Sequence, residues 1–196
     1  DTCPRPVSPG FIEVYEEEAL VKCLGYQLYK EFVNNIDISK STLIKEDSDL
    51  KWDKLLNGTE YTNQSGELVF WKGIRWKSRD TYNKSFLADY VYYNYEKSND
   101  DDRVGIGNVK QEGNNSTVVS KTPKVIAAWR RFFAAVQGGG IEPSFVQNKH
   151  GVGIDWYGSN NQKTLYGFIN DMNNISANTY PNFKPHSFYN ANQFGI

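Results

Sequence analysis

The chain predicts an α+β fold: a single domain over residues 1–196, two main helices packed against an antiparallel sheet, and a long irregular C-terminal tail. Three observations carry that expectation. Residues 11–33 and 121–137 place apolar side chains at helical spacing. Residues 67–120 and 150–169 hold short apolar or alternating runs bounded by glycine, asparagine and serine, as strands do. With 196 residues, the chain is long enough to bury one sizeable core.

Residues 1–10 contain Pro4, Pro6 and Pro9 and read as an extended arm. The first helix follows over 11–33, with Leu20, Leu24, Leu28 and Phe32 repeating every fourth position. Glu13, Glu16, Glu17 and Glu18 precede Lys22 and Lys30, the order a helix dipole favours, and the glutamates read as a solvated first turn. Residues 49–56 predict a short helix ending at Asn57-Gly58. Residues 67–71 form an apolar run with strand propensity, broken at Gly73, and 74–77 alternate after it. Residues 86–95 have helical spacing, with Ser85 as a cap. Residues 98–102 are a polar break without the glycine and glutamate of a calcium loop. Residues 103–109 and 117–120 read as strands.

The second helix is the most plainly written segment. Thr122 is an N-cap and Pro123 a first helical residue. Val125, Trp129, Phe132, Phe133 and Val136 lie on one side, facing the sheet, and Arg130 and Arg131 frame its solvent edge. The glycines 138–140 end it and lack the Lys-Ser/Thr of a phosphate loop. A β-hairpin is expected beyond, pairing 150–157 with 163–169. Residues 171–196, interrupted by Pro181 and Pro185, should wrap the surface, tied down by Tyr180, Phe183, Phe188, Tyr189 and Phe194.

A net charge of −1 gives no basic excess to neutralise phosphates, so no nucleic-acid partner is expected. No apolar run approaches the roughly 20 residues of a membrane span. Six Asn-X-Ser/Thr tripeptides begin at Asn57, Asn63, Asn83, Asn114, Asn115 and Asn174. Twenty asparagines would supply only about two by chance, so a secreted, glycosylated protein is expected. The chain begins without methionine or a hydrophobic leader, as after signal removal. Its two cysteines, Cys3 and Cys23, would then form a disulfide.

Three sets of residues are candidates for function. His150 and Asp155 would act as base and orienter if a bulge at Gly151 or Gly153 brings them to one face. Gly153-Ile154-Asp155-Trp156 resembles the catalytic strand of TIM-barrel chitinases, but Tyr157 stands where that family places its acid glutamate and the chain is too short for the barrel. Cys23, the run 66–71 and His150 resemble, in that order, papain-like cell-wall amidases, a likeness that implies a thiol nucleophile. Against that pattern, Cys23 lies inside its helix and an extra glycine follows the histidine. The third set is a binding surface of Trp71, Trp76, Trp156 and Tyr157, rings for stacking among amides for hydrogen bonding. With 15% aromatic residues, the chain has rings enough for both a core and such a surface. Two separated histidines supply no zinc set, and no metal or cofactor is expected. The resulting expectation is a secreted binding or effector protein for an extracellular protein or carbohydrate; the alternative is a secreted hydrolase using His150 with Asp155, or Cys23 with His150.

Overall fold

A computed structural model describes residues 7–37, 39–40, 43–75, 85–98, 102–104, 107–109, 122–138 and 161–188. Its elements are α1 (Pro9–Leu24), α2 (Tyr26–Asn34), α3 (Leu50–Asn57), β1 (Thr59–Thr62), β2 (Leu68–Trp71), α4 (Phe86–Ser98), β3 (Asp102–Val104), β4 (Gly107–Val109), α5 (Thr122–Val136) and α6 (Leu165–Ile175). The mixed helix–strand character is as expected, but the proportions are not. Among the described residues there are six helices, and the strands form two small antiparallel hairpins rather than a sheet on which helices lie.

The expected arm ends earlier than Gly10. Ser8 caps α1 by accepting the Phe11 N–H at 3.2 Å, and Pro9 takes the first helical position, where its missing N–H costs nothing. The glutamates therefore sit in the middle of α1 rather than in its first turn, and Glu18 pairs with Lys22 and Tyr90. The helix expected over 11–33 breaks at Gly25, whose φ is +82°. The tail crosses at this point: the Lys184 N–H donates to the Leu24 carbonyl at 3.3 Å and the His186 N–H to that of Lys22 at 2.8 Å. A side chain at position 25 would meet the Lys184 carbonyl oxygen at 2.6 Å, so only glycine admits the crossing. Leu24, Leu28 and Phe32 remain buried on both sides of the break.

Helix α3 forms where expected, between an Asp49 cap on the Lys51 N–H and Gly58. Its last carbonyls are satisfied from β2 and the residues after it. The Leu55 oxygen accepts the Trp71 indole N–H at 3.0 Å and the Ile74 N–H at 3.2 Å, and the Leu56 oxygen accepts the Arg75 N–H at 2.8 Å. Ile74 and Arg75 thus cap a helix instead of continuing as a strand.

In the first hairpin Thr59 lies opposite Trp71 and Thr62 opposite Leu68. The free edge of β2 takes one parallel bridge to Gln162, with the Phe70 N–H donating to Asn161 and the Lys163 N–H to Phe70. The chain then enters α6, so the expected strand 163–169 is a helix. Thr164 caps it by accepting the Gly167 N–H at 3.0 Å. Leu165, Phe168, Ile169 and Met172, at i, i+3, i+4 and i+7, are all buried. Where one strand was expected over 103–109, Asp102–Val104 and Gly107–Val109 pair with each other as β3 and β4, Asp102 opposite Val109.

Helix α5 spans the residues expected of it but packs on α4 rather than on a sheet. Its Phe132 is fully buried, with ring centroids 4.8 Å from Tyr90, 6.1 Å from Phe86 and 5.1 Å from Phe188 of the tail. Of the tail expected over 171–196, residues 171–175 belong to α6 instead. Beyond them Tyr180 and Phe188 are buried and the Tyr180 hydroxyl donates to the Lys51 carbonyl at 2.6 Å, while Tyr189 and Phe194 lie outside the described residues. No described helix is long and apolar enough to cross a membrane.

Candidate binding surface

Helix α4 reads FLADYVYYNYEKS and turns only one side to the core, burying Leu87, Tyr90 and Val91. Four tyrosines within six positions cannot share one face of a 3.6-residue helix. Tyr92, Tyr93 and Tyr95 therefore stay half-buried at the flanks.

On the α5 side, the Tyr93 ring lies 4.8 Å from Trp129, and the Lys97 ammonium, one turn on, sits 5.3 Å from the centre of the Tyr93 ring. Trp129 is half-buried and anchored from below by Phe132 at 5.6 Å and Phe188 at 6.0 Å. On the α1 side, Tyr95 meets the edge of Phe11 at 5.8 Å, and Phe11 lies 4.4 Å from Tyr15. Beneath them Lys22 bonds Glu18 and the Tyr90 hydroxyl, and Tyr90 in turn donates to Glu18 at 3.0 Å. This network ties α1 to α4 and fixes the spacing between the ring clusters. Arg131 ties α5 to α4 through Asp89 at 2.5 Å. The result is a cluster of partly exposed rings on each flank of α4, the one on the α5 side beside an ammonium, suited to stacking and to hydrogen bonding by phenol and amine.

The residues expected to bind ligand fall differently. Trp71 is 3% exposed, stacked on Phe168 at 5.6 Å with 15° between ring planes, and its indole is spent on Leu55. It belongs to the core. Trp76, His150, Asp155, Trp156, Tyr157 and Cys3 lie outside the described residues, as do Asn83, Asn114 and Asn115. Cys23 is a free thiol in the structure and wholly buried; burial pushes its pKa far up, which keeps it protonated and removes it from nucleophilic chemistry. Asn57 is half-buried with its carboxamide on Asp53, Asn63 is buried, and Asn174 is exposed.

Sequence reasoning missed a second polar assembly. Lys163, 2% exposed, holds its ammonium 3.0 Å from the Asp171 carboxylate, and the Tyr61 hydroxyl donates to the same oxygen at 2.9 Å. Asp171 lies two turns beyond Lys163, at the outer edge of α6, and Tyr61 reaches it from β1 across Phe168 at 5.7 Å. Burial, then the bond to Asp171, raise the Tyr61 pKa well above that of a free phenol, so it stays a donor. The assembly fastens the hairpin to α6. Lys163→Met is expected to lower stability by about 3 kcal/mol, the low end for breaking a buried pair because water still reaches Asp171. A urea titration checks this, and an unchanged midpoint would show the pair to be energetically silent.

No protein-family model, curated protein or solved structure matches this chain.

Proposed function

We propose that the protein is a secreted, glycosylated, single-domain binding protein that engages an extracellular protein or carbohydrate through the exposed rings of α4 and α5. The observation that carries this reading is the Tyr93–Trp129 pair with Lys97 above it: partly exposed rings, braced from behind, beside a cation. Rings held this way lose little freedom on binding, which is what makes aromatic residues disproportionate contributors to interfaces. The number of Asn-X-Ser/Thr tripeptides supports the extracellular setting. A hydrolase built on Cys23 meets a thiol sealed from solvent.

The test is binding of the glycosylated protein to arrays of extracellular oligosaccharides and of cell-surface ectodomains. Tyr93→Ser should weaken the interaction at least about tenfold, as loss of an interface anchor does. Its melting temperature should fall only slightly. An affinity equal to that of the parent would remove Tyr93 from the contact.

A further inference from the structure

The three described Asn-X-Ser/Thr tripeptides are not equivalent, and the difference lies in what each carboxamide does. Asn63 closes the β1–β2 hairpin. Its Oδ1 accepts the N–H groups of Ser65 at 2.9 Å and Glu67 at 3.0 Å, and its Nδ2 donates to the Glu67 carboxylate at 3.0 Å. Its backbone adds the Asn63 N–H to Glu67 at 2.9 Å and the Gly66 N–H to Asn63 at 3.0 Å. The residue is 8% exposed. The carboxamide is therefore a built-in part of the turn, standing in for backbone that the five-residue connection lacks.

Asn174 is the opposite case. It lies in the last turn of α6 and is exposed, as are Ile175 and the C-cap Ser176 that follow it. Its carbonyl accepts the Gln64 side chain at 3.1 Å, and its carboxamide makes no hydrogen bond among the described residues. A sugar on its Nδ2 displaces nothing described.

We propose that Asn174 is a glycan acceptor of this protein and that Asn63, despite the matching tripeptide, is bare in the folded molecule. The proposal rests on the extracellular reading above. In the transfer, the Asn174 Nδ2 attacks the anomeric carbon of a lipid-diphosphate-linked oligosaccharide. The C–N bond forms as the anomeric C–O bond breaks, the lipid diphosphate leaves with the electron pair, and one amide proton passes to solvent. Both tripeptides are reachable in the extended nascent chain. A sugar would replace an amide hydrogen on the Nδ2 that faces the Glu67 carboxylate, at a residue 8% exposed, and so must push the turn open; chains carrying it drop out of the secreted population.

The full chain, secreted from a eukaryotic host, is deglycosylated enzymatically in heavy-oxygen water and its peptides are mapped by mass spectrometry. The label should appear at Asn174 and be absent from Asn63. Ser176→Ala, which removes the acceptor tripeptide but keeps Asn174, should lose the mass of one glycan; Ser65→Ala, which keeps the Asn63 carboxamide and the backbone N–H it holds, should lose none. Label at Asn63 comparable to that at Asn174, or sugar at other asparagines with Asn174 bare, would overturn the assignment while leaving the extracellular reading in place. Absence of sugar at every site would overturn both.

Discussion

Gly73→Ala is expected to cost about 3–4 kcal/mol, a large share of the 5–15 kcal/mol that holds a domain of this size together. Gly73 has φ +88°, where an L side chain alone costs about 1–2 kcal/mol. The methyl group would also meet the Leu56 carbonyl oxygen at 2.5 Å and the Asn57 carbon and Gly58 nitrogen at 2.6 Å. All three are backbone atoms and cannot swing aside. Gly58 faces back in the same way, its missing side chain directed at the Trp71 oxygen at 2.5 Å. Two backbones meet here without side chains between them, which lets Ile74 and Arg75 reach the terminal carbonyls of α3. Urea unfolding of Gly73→Ala against the parent measures the effect. A loss below about 1 kcal/mol, the ordinary scale of a surface substitution, would contradict this packing.

Stability should fall steeply in alkali. Burial raises the pKa of the Cys23 thiol and of the Tyr180, Tyr61 and Tyr166 hydroxyls. Each is neutral when protonated, so the unfolded chain loses these protons first, the cysteine from about pH 8.5 and the tyrosines from about pH 10. Above those values the native state binds more protons than the unfolded state, and stability declines by up to about 1.4 kcal/mol per pH unit per group. Cys23 and Tyr180, 0% and 1% exposed, carry the full slope, while half-buried Tyr61 and Tyr166 carry less. From the two buried groups alone, stability at pH 11 should lie about 5 kcal/mol below that at pH 8. The decline in Cys23→Ala should start only near pH 10. Equal urea midpoints at the two pH values would contradict the burial of these groups.

What was legible in the sequence was local. Asp49 and Gly58 bracket α3, Ser85 opens α4, and Thr122-Pro123 opens α5, because caps and turns are written within a few residues of the structure they set. The break at Gly25 was not legible, since it depends on a tail that arrives some 160 residues later and crosses at Leu24. Residues 165–169 carry the strand propensity of Tyr, Phe and Ile, yet the Thr164 cap and the buried i, i+3, i+4, i+7 spacing through Met172 make them helical. Composition could not separate core rings from surface rings. Trp71 reads like a binding residue and is spent on the end of α3, whereas Tyr93, Tyr95 and Lys97 are left at the surface by a helix with more tyrosines than its buried face holds. Asn63 spells an acceptor tripeptide and serves a turn.

The central claim is that this protein acts by binding through the α4 face. It is tested most directly by equilibrium titration of three proteins against whichever array member the parent binds. These are the parent, the double variant Tyr93→Ser/Lys97→Glu, and Tyr26→Ser, which removes an exposed ring on α2. Saturable binding by the parent and by Tyr26→Ser, lost in a still-folded double variant, is the expected result. Undiminished binding by the double variant, or loss in Tyr26→Ser alone, would contradict it.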